Sequence, residues 1–372
     1  MKMNFLRSFA LASIAWILIS GQALCAASKN LAQAKQDAQT KGYAFFMSHE
    51  EIVTQAKEEG SLRVVANLEN KTIKAFITSF KKKYPFIKDI QIEPTTGTEA
   101  AQRIVLGLQA GTVKADAIHI LVAFREGYTP HLWKVDLLGM AKEGVLEIPP
   151  PMIDQKHRNA VAIQHHFQPI AYNSTLISRD LLPKNWEDLL RPGLKGRKFA
   201  LDIRPKDVAG LIPAWGLEKT LGYARKLVKQ KPIWVRGSRA LVSMIAGEIP
   251  IVVGPNFGAV KRVAKKDPKG VLGYVIPEPV PVRFGGVQGL VADSRNPHAG
   301  LLWLEWLASP EAQGMMDQLE FSSSVYVRGS LTERELRGKK LSIVDWAHYH
   351  EVDEWEKQVA KAYGFPEAER KR

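Results

Sequence analysis

The stretch SLRVVANLENKTIKAFITSFKKKYPFIKDIQIEPTTGTEAAQRIVLGLQAGTVKADAIHILVAF, residues 61–124, decides the fold. Three short apolar runs, at 62–65, 90–92 and 115–124, have the length and composition of strands. Between the first two, apolar residues recur at helical spacing from Ile73 to Phe80, and Pro85 ends that helix. Between the last two, a second helix is expected from Thr98, as N-cap, to a stop at Gly111. The order strand–helix–strand–helix–strand predicts an α/β unit with a parallel sheet.

A second α/β unit is indicated from about residue 185 onward, where extended and helical patterns alternate again. Two extended stretches, near 169–173 and 277–284, read as crossovers between the units. We therefore predict lobe one from residues 28–170 and 280–372, and lobe two from residues 171–279. A ligand cleft is expected between them, where open α/β sheets present the loops that follow their strands.

The first 27 residues read as a cleaved secretory signal peptide. Lys2 and Arg7 give a basic start, Phe9–Ser20 is an apolar core, and small residues follow. The apolar core is short for a membrane span, although an N-terminal anchor helix is the alternative. Cys25 is the only cysteine, so disulfides and a thiolate site are not expected in the mature chain. We predict a periplasmic protein.

Composition and charge narrow the function. The chain has 372 residues, 45% of them hydrophobic, and a formal net charge of +14, which suits nucleic acid, a membrane surface or an anionic ligand. No nucleic-acid-binding signature is visible, and an exported protein rarely meets nucleic acid. G-x-S-x-G, a Walker loop and the zinc motifs are also missing. We expect a binding protein rather than an enzyme, without catalytic residues or a cofactor.

Several stretches, taken in order and spacing, resemble a known family. They are AKEEGSLRVVANLE, FITSFKKKYPFIKDIQIEPTTGTEAAQRIVLGLQAGTVKADAI, AYNSTLI, NWEDLLRPGLKGRKFALDIRP, GSRALVSMIAGEIPIVVG and ADSRNPHAGLLWLEWLASPEAQ. The chain resembles the solute-binding proteins of ABC importers, in the branch that includes ferric-ion-binding proteins. The resemblance implies the type II periplasmic binding fold, in which two lobes, each a mixed and mostly parallel sheet flanked by helices, join through a two-strand hinge. It also implies a monomer that closes on a small ligand and delivers it to an inner-membrane permease with its ATPase.

Candidate ligand-binding residues lie in loops that follow predicted strands, or in the return crossover. Hydroxyl and backbone N–H groups at a helix start suit an anion, and guanidinium groups bind carboxylate or phosphate through paired hydrogen bonds. From these loops and the crossover we expect ligand contacts from Asn67, Glu69, Thr96, Gly97, Thr98, Phe124, Arg125, Asp202, Arg204, Gly237, Ser238, Asn256, Phe257 and Arg283.

The loop GPNFGA, residues 254–259, bears on whether the chain can bind ferric iron. Ferric-binding relatives carry adjacent tyrosines in the matching loop, whereas this chain has Asn256 and Phe257. Adjacent His165 and His166 would point to opposite faces of a strand, so we expect no chelate there and no metal site. We predict an anionic or phosphorylated organic ligand. The alternatives are ferric iron held by other ligands or with a synergistic anion, and a sensory rather than a transport role.

Overall fold

A computed structural model describes residues 30–237 and 239–365, and in this part of the chain the strands form two sheets. The strands are β1 Ser61–Ala66, β2 Asp89–Pro94, β3 Ala117–His119, β4 Ala160–Phe167, β5 Ile170–Asn173, β6 Ala200–Asp202, β7 Ile233–Val235, β8 Ile251–Val253, β9 Leu272–Val275, β10 Val280–Leu290 and β11 Leu341–Val344. The principal helices are α1 His49–Glu59, α2 Asn70–Lys83, α3 Gly97–Gln109, α4 Arg125–Tyr128, α5 Leu137–Lys142, α6 Lys206–Ala209, α7 Ile212–Trp215, α8 Leu217–Lys229, α9 Arg239–Ile245, α10 Phe257–Ala264, α11 Pro297–Ala308, α12 Pro310–Leu319, α13 Leu331–Leu336 and α14 Val352–Ala362. A further helical segment covers 30–40.

The first sheet confirms the predicted α/β unit. Its strand order is β11-β10-β3-β1-β2, and β4 also pairs with β10. Strand β1 runs parallel to both β2 and β3, as a strand–helix–strand–helix–strand order requires. Strand β10 returns antiparallel to β3. Because helices cover the sheet, aromatic side chains such as Phe76, Phe80, Trp303 and Trp306 are fully buried in its core.

Local signals end the helices of this unit close to where they were expected. Ser48 caps α1 by accepting a hydrogen bond from the Glu51 N–H at 3.1 Å, and Gly60 ends the helix with a φ of 63°. Helix α2 ends at Lys83, just before Pro85. The N-cap of helix α3 lies two residues earlier than predicted, at Thr96 rather than at Thr98.

The second sheet has the strand order β7-β6-β8-β5-β9. Strands β6, β7 and β8 are parallel, while β5 pairs antiparallel with both β8 and β9. A separate core, which includes Trp186, Phe199 and Leu227, fills this sheet's face. The chain is thus the predicted mixed α/β fold built on two sheets.

Two direct connections join the sheets. Residues 168–169 link β4 to β5, and residues 276–279 link β9 to β10. Strand β11 belongs to the first sheet, yet helix α14 packs against the core of the second through Trp355 and Val359, and its C-cap Tyr363 joins that core. The lobe bounds stay a prediction, and within residues 280–372, which they assign to lobe one, α14 packs on the second sheet. Trp355 and Val359 are four residues apart and both buried, so they lie on one face of this helix. That face packs on α8 and α6.

None of the helices in the described residues is both long and apolar enough to cross a membrane. The predicted signal peptide, residues 1–27, and Cys25 within it lie outside the residues that the structure describes.

Candidate functional site

A cavity of about 480 Å³ lies between the two sheets. Residues 119–124 at the end of β3 and residues 283–287 of β10 form one side. Arg204 and Lys206, which follow β6, and Arg236, which follows β7, form another. The carboxyl ends of parallel strands thus meet at the cavity. Open α/β sheets bind their ligands at such strand ends.

Arg283 lies on β10, close to the connection between the sheets. Its Nη2 donates to the Asn256 Oδ1 at 3.0 Å. When the Gln168 amide is oriented to satisfy its neighbours, its oxygen accepts from the Arg283 Nε at 3.1 Å. Two neutral amides therefore orient this guanidinium and leave its positive charge in place. Burial lowers the pKa of Arg283, although a guanidinium remains protonated at neutral pH.

Arg204 and Gly237 are organised by Asp202 at the end of β6. The Asp202 carboxylate accepts from the Arg204 N–H at 2.9 Å, from its Nη2 at 3.2 Å and from the Gly237 N–H at 2.8 Å. Gly237 has a φ of +71°, and an added Cβ would lie 3.1 Å from the Arg204 Nη2. Asp202 thus holds the arginine and the neighbouring loop, while Arg204 lines the cavity.

Positive charges repel one another in this cavity. The Arg283 charge, followed by burial, lowers the pKa of Lys206. Burial lowers the pKa of His166 to about 3, and the charges of Arg283, Arg262 and Lys206 act in the same direction. Since like charges are close together in a partly desolvated site, an anion bound between them would be stabilised.

The C-terminal part of the chain completes the cavity. Tyr349, Val352, Asp353 and Glu356 line it, and the last three belong to α14. Sequence reasoning missed these residues, and it considered Lys206 and Arg236 only as members of candidate loops, not as chosen ligand contacts. Their loops follow strands, which is a usable signal, but nothing local in the sequence indicates which sheet a terminal helix will join.

The remaining residues expected from the first sheet lie at the same strand ends. Thr98 and Phe124 line the cavity, while Thr96 and Gly97 are exposed at the start of α3. Asn67 is half-buried after β1. Glu69 is exposed and pairs with Lys71 at 3.0 Å, which directs its carboxylate to a neighbour on its own helix. Ser238 lies outside the described residues.

Arg125 has a different environment from the one expected. It is 2% exposed, and its Nη2 donates to the Asp154 Oδ2 at 2.7 Å and to the Asn159 Oδ1 at 3.1 Å. Asp154 is itself 0% exposed. The guanidinium is committed to a buried ion pair, so it is not presented to a ligand.

Phe257 is also buried rather than presented for stacking on a ligand. Its ring stacks on Phe167 with centroids 4.4 Å apart, and Tyr274 meets its edge at 5.3 Å. The residue is the first of α10, and its side chain points into a small core shared with Val280 and Val282. Neighbouring Asn256 keeps a polar role, because it holds Arg283.

A larger groove of about 970 Å³ runs beside residues 345–350. It contains both acidic and basic side chains, including Glu126, Lys156 and Asp345, and prolines form part of its wall. The smaller cavity is the better ligand site because strand ends converge there and basic groups outnumber acidic ones. No group of three or more His, Cys, Asp or Glu side chains suited to a metal ion occurs within 30–237 and 239–365.

Comparison with known proteins gives the class of molecule that this fold and cavity define. Residues 66–314 match the family described as bacterial extracellular solute-binding protein. The chain belongs to this family. A comparison of the sequence with curated proteins gave no match.

Solved structures share the fold. A ferric binding protein from Campylobacter jejuni is 18% identical, with a TM-score of 0.62 over 82% of this chain and 100% of that chain. A ferric iron-binding protein A from Mannheimia haemolytica, in an open conformation, is 16% identical, with a TM-score of 0.63 over 82% and 99%. An ABC transporter substrate binding protein from Agrobacterium tumefaciens is 16% identical, with a TM-score of 0.56 over 81% and 95%.

Proposed function

We propose that this chain captures a small organic anion, carboxylated or phosphorylated, in the cavity between the two sheets. The observation that carries the proposal is the convergence of Arg204, Lys206, Arg236 and Arg283 on one cavity of about 480 Å³. Guanidinium groups recognise planar carboxylate and tetrahedral phosphate through paired hydrogen bonds, and a lysine adds a point charge. An anion there relieves the repulsion between Arg283 and Lys206.

The mechanism is closure of two lobes around the ligand. The connections at 168–169 and 276–279 are the hinge, and the proposed lobes follow the two sheets. A ligand that touches both sides stabilises the closed form by its differential affinity for that form. We propose that a membrane permease with its ATPase receives the ligand from the closed form, that the N-terminal signal is cleaved, and that the mature protein is a periplasmic monomer.

A thermal-shift panel tests the anion proposal. Binding to the native state stabilises it by an amount that grows with the logarithm of ligand concentration above the dissociation constant, so small carboxylates and phosphate esters are expected to raise the melting temperature. Lys206→Met should weaken the shift, because it removes one cavity charge while keeping a long side chain. Lys195→Met is the matched control. Lys195 is exposed, precedes β6 in the chain and does not line the cavity. A panel in which only neutral sugars or cations shift the transition defeats the proposal.

Ferric iron is the second candidate, and it has one supporting observation. Tyr349, Asp353 and Glu356 supply oxygen donors to the same cavity, and oxygen donors suit a hard cation. Four basic side chains oppose a bare trivalent ion there, so a synergistic anion would be required. We expect no visible tyrosinate-to-iron absorption band when ferric salt is added to the purified protein, and a strong band would favour iron instead.

A further inference from the structure

Helix α14 brings acidic side chains into a cavity that is otherwise basic. Asp353 and Glu356 both line the cavity, and residues three apart lie on the same face of a helix. The adjoining face is fixed, because Trp355 and Val359 are buried in the core of the second sheet. The rotation of the helix, and with it the position of the two carboxylates, is therefore set by core packing.

The negative charge of Glu356 shifts the pKa of two of the basic groups. It acts on Lys206 and on Arg283 in the direction that favours their charged forms, whereas those two groups disfavour each other. Glu356 is half-buried, so its charge is less screened by water than that of the exposed Asp353. The negative charge of Glu356 thus offsets part of the positive charge of Lys206 and Arg283, the pair that we expect to hold the ligand.

The formal charges around the cavity leave a small excess of positive charge. Among the described lining residues, four basic side chains face two acidic ones. The ion pair of Asp202 with Arg204, at 3.2 Å, offsets one more positive charge. His119 adds none, because burial lowers its pKa to about 4. About one positive charge remains for the ligand to neutralise.

We propose that Glu356 is a specificity-determining residue that acts as a built-in counter-ion for Lys206 and Arg283 and makes the cavity select anions of a single negative charge. This inference rests on the proposed function and deepens it. A ligand with two negative charges brings one charge more than the excess and meets repulsion from Glu356. Removing the Glu356 charge leaves two positive charges in excess, so the preference should move toward doubly charged anions.

Sulfate and methyl sulfate are suitable probes. Both have a tetrahedral sulfur–oxygen head, and they carry two charges and one charge respectively at any pH near neutrality. Isothermal titration gives the dissociation constant of each ion for wild type and for Glu356→Gln. We expect the ratio of sulfate affinity to methyl sulfate affinity to rise about tenfold in the variant, the size of effect typical of removing one close charge. Glu356→Ala provides the same measurement if the glutamine variant does not fold.

Two controls separate charge from structure. Glu354→Gln removes a carboxylate from the same helix, but Glu354 is exposed and lies outside the cavity, so the ratio should not change. Glu356→Asp keeps the charge and should stay within about threefold of wild type. A ratio that is unchanged in Glu356→Gln, with anion binding retained, overturns this inference and leaves the proposed function standing. Absence of binding of either ion by every protein also overturns this inference, whereas the thermal-shift panel with carboxylates and phosphate esters decides the proposed function.

Discussion

The buried carboxylate of Asp207 should make the protein less stable as the pH rises. Asp207 lies in the first turn of α6 and is 2% exposed, and its Oδ2 is without a hydrogen-bond partner among the described residues. Burial raises its pKa to about 7, and the charges of Asp202 and Glu356 act in the same direction. The native state therefore favours the protonated, neutral form of this side chain.

The size of the effect follows from the difference between the two pKa values. In the unfolded chain an aspartate titrates near 3.9, about three units below the native value. Because the native pKa is raised, the stabilising contribution is complete below about pH 4 and is lost as the pH rises through 7. Three units correspond to about 4 kcal/mol of unfolding free energy, of which about 2–3 kcal/mol is lost between pH 5 and pH 8.

Asp207→Asn removes the titration while keeping the shape of the side chain. The measurement is the free energy of unfolding by urea at pH 5, 6, 7 and 8, for the variant and for wild type. The unfolding free energy of the variant minus that of wild type should increase by about 2–3 kcal/mol from pH 5 to pH 8, because only wild type loses stability through Asp207. Asp293→Asn, at an exposed position, serves as the control and should show a flat difference. A flat difference for Asp207→Asn would refute the assignment of a raised native pKa.

Two further substitutions test the buried surroundings of the cavity. Arg125→Met leaves the carboxylate of Asp154 buried without its cation, so the unfolding free energy in urea should fall by about 3–5 kcal/mol. Its anion affinity by titration should stay within about twofold, and weaker binding with unchanged stability would instead make Arg125 a ligand residue. Gly254→Ala should cost about 2 kcal/mol or more, because Gly254 has a φ of +68° and an added Cβ would overlap the Asp207 side chain. Gly247→Ala, with a φ of +89° and open space around it, should cost only about 1 kcal/mol in the same thermal or urea measurement, and equal losses would contradict the predicted clash.

The sheets could be predicted from the sequence because their signals are local. The helix from Asn70 to Lys83 shows its apolar period within a few turns, and Gly60 marks the end of the helix before it. The three strands of the first unit are short apolar runs between such helices. Parallel pairing then follows from the order of elements alone, and the structure has that pairing.

The direction of individual side chains could not be predicted in the same way. Phe124 and Arg125 are adjacent in a loop that was expected to face the ligand, yet only Phe124 lines the cavity. Successive residues in a helical turn point about 100° apart, so a shift of one residue moves a side chain from the cavity to the core. The partner of Arg125 is Asp154, 29 residues away, and no local pattern announces that contact.

Phe257 illustrates the same limit within the loop at 254–259. The absence of tyrosine there was readable from the sequence, but the stacking of Phe257 on Phe167 depends on how α10 meets the end of β4. Helix α14 is a larger case of the same kind. Its apolar spacing predicts a buried face, whereas the sheet that receives that face is decided by packing over long range.

We propose that the position of Arg283 couples ligand binding to hinge motion. The residue lies on β10, the strand that carries one connection between the sheets, and Gln168, which contacts it, lies in the other connection. Asn256, its other hydrogen-bond partner, is the N-cap of α10, which packs on the second sheet. An anion drawn to this guanidinium therefore contacts a group held jointly by both connections and by lobe two. Because that anion also offsets the repulsion between Arg283 and Lys206, the same charge that gives affinity favours the approach of the two sides.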